Sequence, residues 1–170
     1  MHAEDQPAGP TLHMLCGKIA AGKSSLAAQL GAAPLTVIVS EDKWMAPLFG
    51  EELKEVADYV RLAPRLRAAM APHVADLLRA GVSVVLDYPA NTLANRAWMK
   101  GIAEAAKVAH RLHWLDVPDE ICKARMRARN ASGAHEFALT DAQFDQITSY
   151  FVPPTAEEGL AIIVHRPESD

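Results

Sequence analysis

The run Gly17-Lys18-Ile19-Ala20-Ala21-Gly22-Lys23-Ser24 fills every fixed position of the pattern G-x-x-x-x-G-K-[ST]. Glycines let such a loop wrap closely enough for successive backbone N–H groups to point at the same phosphate oxygens. Lys23 is then placed to reach the β- and γ-phosphates of a nucleotide, and the Ser24 hydroxyl to bind Mg²⁺. Ser25 completes the expected nucleotide-binding stretch, Gly17 to Ser25, at the start of a helix whose positive end favours anions.

Three acids fall at or just beyond the ends of apolar runs. Asp87 closes Val84-Val85-Leu86 and is expected to hold Mg²⁺ opposite the loop; its other reading is a strand-end carboxylate that caps a turn. Asp42 follows Leu35-Thr36-Val37-Ile38-Val39 and could take a proton from a hydroxyl lined up with the γ-phosphate, or cap the next segment. Asp116 precedes Pro118 and suits a turn.

The basic residues need a helix to become a site. Arg125 and Arg129 stand four apart and share one helical face, beside a buried stripe expected from Ile121, Ala124 and Ala128. They either neutralise charge on a transferring phosphoryl group or belong to an exposed basic helix. Arg96, one turn into the helix after Asp87, is either an acceptor-site residue or a surface arginine. Trp44 and Trp98 either shape an acceptor pocket or pack in the core. Pro153, in Val152-Pro153-Pro154, either lies against a nucleotide base or joins two elements.

These residues require elements that bring them together. Leu12 to Cys16, Leu35 to Val39, Val82 to Asp87, Leu112 to Val117 and Ala161 to His165 read as strands. Helices are expected over Ser24–Leu30, Glu51–Val60, Leu62–Arg79, Thr92–Val108, Pro118–Arg129 and Asp141–Tyr150, with Pro64 and Pro72 interrupting the third. Strands alternating with helices mean an α/β fold, a parallel sheet covered on both faces, with functional residues at the carboxyl ends of the strands.

The 170 residues suit one domain, with residues 1–10 as an unstructured tail. The formal net charge of −4 argues against a general nucleic-acid binder. No apolar run approaches the ~18 residues that a membrane span needs. The start lacks the basic end and apolar stretch of a secretory signal, so a cytoplasmic setting is expected. Cys16 and Cys122 form no C-x-x-C pair, and the histidines lack metal-ligand spacing.

Together these residues resemble the small P-loop kinases of the AAA_33 type, and more distantly zeta toxins, chloramphenicol phosphotransferase and polynucleotide kinases. The resemblance covers roughly Leu12 to His165. It rests on Gly17–Ser24, on Ser40-Glu41-Asp42, on Val85-Leu86-Asp87 with Arg96 downstream, on Leu115-Asp116-Val117-Pro118 leading to Arg125 and Arg129-Asn130, and on Phe151-Val152-Pro153-Pro154 with Glu158-Gly159. It implies the P-loop NTPase fold with a five-stranded sheet in the order 2-3-1-4-5. It also implies ATP·Mg²⁺ as phosphoryl donor, Asp42 as base, Arg96 at the acceptor and Arg125 and Arg129 as lid arginines. The stretch from Arg129 to Thr140 is short for a lid domain and is expected to close as a loop. A small-molecule hydroxyl is the expected acceptor. A nucleotide or polynucleotide-end kinase and a nucleotide-dependent partner-binding switch are the other two readings.

Overall fold

The computed structural model describes residues 7–133 and 138–168. Expectations for residues 1–6, and for the middle of the short lid stretch, fall outside the described residues. Residues 7–10 lead directly into the first strand, so the expected tail is at least that much shorter.

Five strands pair in parallel in the order β2-β3-β1-β4-β5: β1 Thr11–Gly17, β2 Thr36–Ser40, β3 Ser83–Pro89, β4 Ala109–Leu115 and β5 Ile162–His165. The alternation of strand and helix explains this, because each crossover returns the chain to the same end of the sheet. Side-chain alternation divides the core. Leu12, Met14, Cys16, Val84, Leu86 and Leu112 face α3 (Val56–Arg79) and α4 (Leu93–Ala106). On the other face Leu15 and Val85 pack on Ala27 of α1 (Lys23–Gly31). A separate cluster joins Ala21, Leu115 and Val117 to Cys122 and Met126 of α5 (Asp119–Ser132) and to Phe144 of α6 (Asp141–Thr148).

Two helical expectations change. A helix, α2 (Glu41–Phe49), begins directly at the end of β2 with Ser40 at the cap position, ahead of the expected helix over Glu51–Val60. The next helix runs unbroken over Val56–Arg79 despite Pro64 and Pro72. Each proline removes one backbone hydrogen bond. Both lie on the exposed side, while Leu62, Leu66, Met70, Val74 and Leu78 bury a continuous stripe that holds the helix together. Its start is set at Glu55 by a capping box: the Glu55 and Lys54 N–H groups donate to Asp58 Oδ2 at 3.0 and 3.1 Å. This cap falls in the middle of the expected Glu51–Val60 helix.

Candidate active site

The glycine loop joins β1 to α1 at the carboxyl edge of the central strand. Gly22 takes φ +108°, a conformation that favours glycine, and turns the chain into α1. The first turn of α1 contains no acidic residue, so its N–H groups are left to an external anion. Ala20 also has positive φ, at +61°, which is backbone strain of the kind that clusters at ligand sites. The base of the loop is held from the side: Asn91 Oδ1 accepts from Gly17 N–H at 3.0 Å, and Asn91 Nδ2 donates to Gly17 C=O at 3.0 Å.

Lys23 lies inside this cradle. Its ammonium donates to the carbonyls of Gly17 at 2.5 Å and Lys18 at 2.9 Å. Burial lowers its pKa, opposed by the nearby Cys16 thiol and the Asp87 carboxylate, and Arg129 adds a like charge. A half-buried cation held by neutral carbonyls is electrostatically prepared for a phosphate. Ser24 and Ser25 are exposed at the start of α1.

Helix α5 closes against the loop. Lys18 pairs with Asp119 at 2.5 Å, and Arg125 Nη1 reaches the carbonyls of Ala21 at 3.3 Å and Ala20 at 3.5 Å. Arg129 Nε is buried without a hydrogen-bond partner among the described residues. The buried stripe of α5 differs from the expected one: Cys122 and Met126 face inward, whereas Ala124 and Ala128 are exposed. Arg125 and Arg129 still share a face, and it is the one beside the loop.

Across the cleft, Asp87 pairs in register with Ser40. Burial raises the pKa of Asp87, the Asp42 charge raises it further, and Lys23 and the Ser40 hydroxyl oppose the rise. Asp87 therefore feels both the Lys23 ammonium and the Asp42 carboxylate. Asp42 is the second residue of α2 and is exposed; Ser40 occupies the cap position, so Asp42 is not the cap. Trp44, 39% exposed, sits on the outer side of α2 with its ring edge-on to His73. Trp98 is half-buried, packed on Tyr88 and under the Arg67 guanidinium. Asp116 accepts a surface contact from Arg166 at 3.3 Å, in keeping with a turn residue.

Arg96 corrects an expectation. Its side chain is fully buried, paired with Glu158 at 2.7 Å and donating to the carbonyls of Ala90 at 3.0 Å and Val152 at 2.8 Å. With both ends of its guanidinium engaged, it offers no face to an acceptor. It instead ties the segment around Pro153 and Pro154 to the sheet. Val152 N–H also donates to Asn91 C=O at 2.9 Å. Pro153 is exposed on that segment, whereas Pro154 is buried.

Two groups escaped the sequence reading. One is Asn91, which no motif marks and which directly precedes the helix cap Thr92, whose side chain accepts from Asn95 N–H at 3.2 Å. The other is a polar cluster behind Asp42. The neighbouring Glu41, 4% exposed, accepts from Tyr59 Oη and from Arg67 at 3.2 and 3.3 Å. No sequence motif marks it, because its members come from two different helices, α2 and α3, and lie 18 and 26 residues apart.

A parallel five-stranded sheet in this order, with a glycine loop between the central strand and its helix, defines a P-loop NTPase fold of the small-kinase type. The chain belongs to the AAA_33 family, described as an AAA domain, whose model matches residues 12–154. Its fold is similar to that of a kinase candidate from Chloroflexus aurantiacus (TM-score 0.73, 17% identity, 94% of this chain and 89% of that one). It is also similar to a sugar kinase from a Janibacter species (0.62, 16%, 94% and 86%). A gluconokinase from Sinorhizobium meliloti is a further neighbour (0.54, 15%, 92% and 82%). No curated protein matches the chain by sequence.

Proposed function

We propose that the protein is a phosphotransferase that moves the γ-phosphate of ATP to a hydroxyl of a small molecule. The observation that carries this reading is Lys23, in a loop with open N–H groups, lying near Asp87, a carboxylate that in turn feels the Asp42 charge. The residues fit a magnesium nucleotide: a half-buried ammonium held by neutral carbonyls, an exposed Ser24 hydroxyl, and Asp87 close enough to feel Lys23. Ser24 and Asp87 would hold Mg²⁺, which would offset the charge of the phosphates.

The loop amides and Lys23 grip the phosphates. Asp42 takes the proton of the acceptor hydroxyl as its oxygen bonds to the γ-phosphorus and the bond to the ADP oxygen breaks. Arg125 and Arg129 stabilise charge on the transferring group. Arg125 meanwhile exchanges its hold on the Ala20 and Ala21 carbonyls for phosphate oxygens. Catalysis on this account is positioning and electrostatics.

The test is incubation with labelled ATP and a panel of antibiotics, nucleosides, sugars and metabolites, read by a mass gain of one phosphoryl group. Asp42→Asn is expected to keep ATP binding and lose transfer. Transfer at the wild-type rate by that variant would remove Asp42 from the base role.

A further inference from the structure

Asp42 is exposed at the start of a nine-residue helix, and nothing in its own hydrogen bonding fixes it among the described residues. A proton acceptor that is free to wander performs poorly, since about 1 Å of misplacement can cost about 10²-fold in rate. The residue beside it is held in the opposite way. Glu41 turns inward, accepts from Tyr59 Oη, and receives both Nε and Nη2 of Arg67 at 3.3 and 3.2 Å. Arg67 Nη1 continues to Asn95 Oδ1 at 3.1 Å, and Asn95 Nδ2 donates to the Pro89 carbonyl at 3.0 Å. Pro89 ends β3, two residues beyond Asp87. The polar chain thus starts next to Asp42 and ends on the strand that carries Asp87, two residues beyond it.

We infer that the Glu41–Arg67–Asn95 chain is a positioning device that sets Asp42 against Asp87 and the phosphate loop. The inference rests on the phosphotransferase reading above. A buried carboxylate demands its partner, because an ion stripped of both water and counter-charge is strongly disfavoured. The first turn of α2 therefore cannot shift without breaking the Glu41–Arg67 fork. The forked guanidinium is required for this: it spans Glu41 and Asn95 at once, which a single ammonium does not. Trp98, with its ring centroid 5.8 Å from the guanidinium carbon, fixes the plane of the fork.

The experiment compares wild type, Asp42→Asn, the shape-preserving double variant Glu41→Gln/Arg67→Met, and the triple variant that combines all three. The double variant removes both charges together, so no buried ion is left alone. Thermal melting checks that it is folded, and Asn95→Ala provides a milder break in the same chain. Turnover of labelled ATP is measured with water and with any acceptor found in the panel, alongside ATP affinity.

The double variant and Asn95→Ala are expected to lower kcat by about 10-fold or more while KM for ATP moves less than about twofold. The triple variant should be no slower than Asp42→Asn alone, because a residue that acts through Asp42 has nothing to act on once Asp42 is gone. Arg67→Lys should recover only part of the rate. If Asp42→Asn is slow but the double variant keeps the wild-type rate, the inference falls and the phosphotransferase reading stands. Independent, multiplying losses in the triple variant overturn it equally. If wild type turns over no substrate at all, water included, the reading of function falls and takes the inference with it.

Discussion

Asn91 grips Gly17 by both backbone groups, accepting from its N–H and donating to its carbonyl, each at 3.0 Å. The same residue receives Val152 N–H on its own carbonyl, so one asparagine links the phosphate loop to the segment carrying Pro153. The loop's curvature is thereby imposed from outside it. Replacing Asn91 by Ala orphans a peptide N–H whose burial costs about 1–3 kcal/mol. Part of that cost should fall on nucleotide binding, where roughly 1.4 kcal/mol is tenfold in affinity. Titration with a fluorescent ATP analogue should show weaker binding by Asn91→Ala, with the fold retained by circular dichroism.

Arg96 predicts a different phenotype from that of an acceptor-binding arginine. Its guanidinium is buried with Glu158, which also accepts from Thr155 N–H at 2.8 Å, so the pair organises the whole turn over Ala156–Glu158. Arg96→Met leaves the Glu158 carboxylate without its partner and should cost about 3–5 kcal/mol of stability. Urea denaturation measures it. An acceptor-site role would instead leave the midpoint in place and raise KM for the acceptor.

The prolines of α3 should be removable with profit. Pro64 and Pro72 are exposed, and each denies a hydrogen bond to the carbonyl four residues earlier. Alanine restores the bond and the helix geometry, an advantage of up to ~3 kcal/mol, less ~0.4–1 kcal/mol for the freer unfolded chain. Pro64→Ala and Pro72→Ala are expected to raise the denaturation midpoint, and additively, because the sites lie more than two turns apart and share no partner.

The phosphate loop was legible because its chemistry fixes residue types at fixed spacings, and the sheet because β-branched runs alternate with amphipathic helices. What was not legible depends on contacts distant in sequence. Arg96 reads as an acceptor residue until Glu158 is seen folding back onto it. The buried face of α5 differs from the expected one because Cys122 and Met126 find Phe144 of α6, while alanines at 124 and 128 fit a surface as readily as a core. Glu41 and Asp42 look alike in sequence; only α3 makes one of them a buried anchor and leaves the other exposed.

A row of three histidines predicts how stability depends on pH. His13 Nδ1 meets His113 Nε2 at 2.9 Å, and His113 Nδ1 meets His165 Nε2 at 3.0 Å, across β1, β4 and β5. Each contact holds one shared proton, so the neutral rings form a complete chain, and a second added proton would set two N–H groups against each other. Burial lowers the pKa of His13 to about 4 and of His113 to about 3, with Arg111 adding to both and the neighbouring rings adding to His113; burial lowers His165 as well. The unfolded chain takes up these protons near pH 6.5, whereas the native protein does so only far below. The unfolded state therefore binds more protons throughout the interval, and stability must fall as pH falls. The full stability is present above about pH 7, declines from about 6.5 towards 4, and levels off for these groups once the native rings are protonated too. Urea midpoints should already drop between pH 7.5 and 5.5, above the range in which ordinary carboxylates titrate. His113→Phe keeps the ring volume without a titrating group and should flatten that dependence. An unchanged slope in the variant would show that the row does not control it.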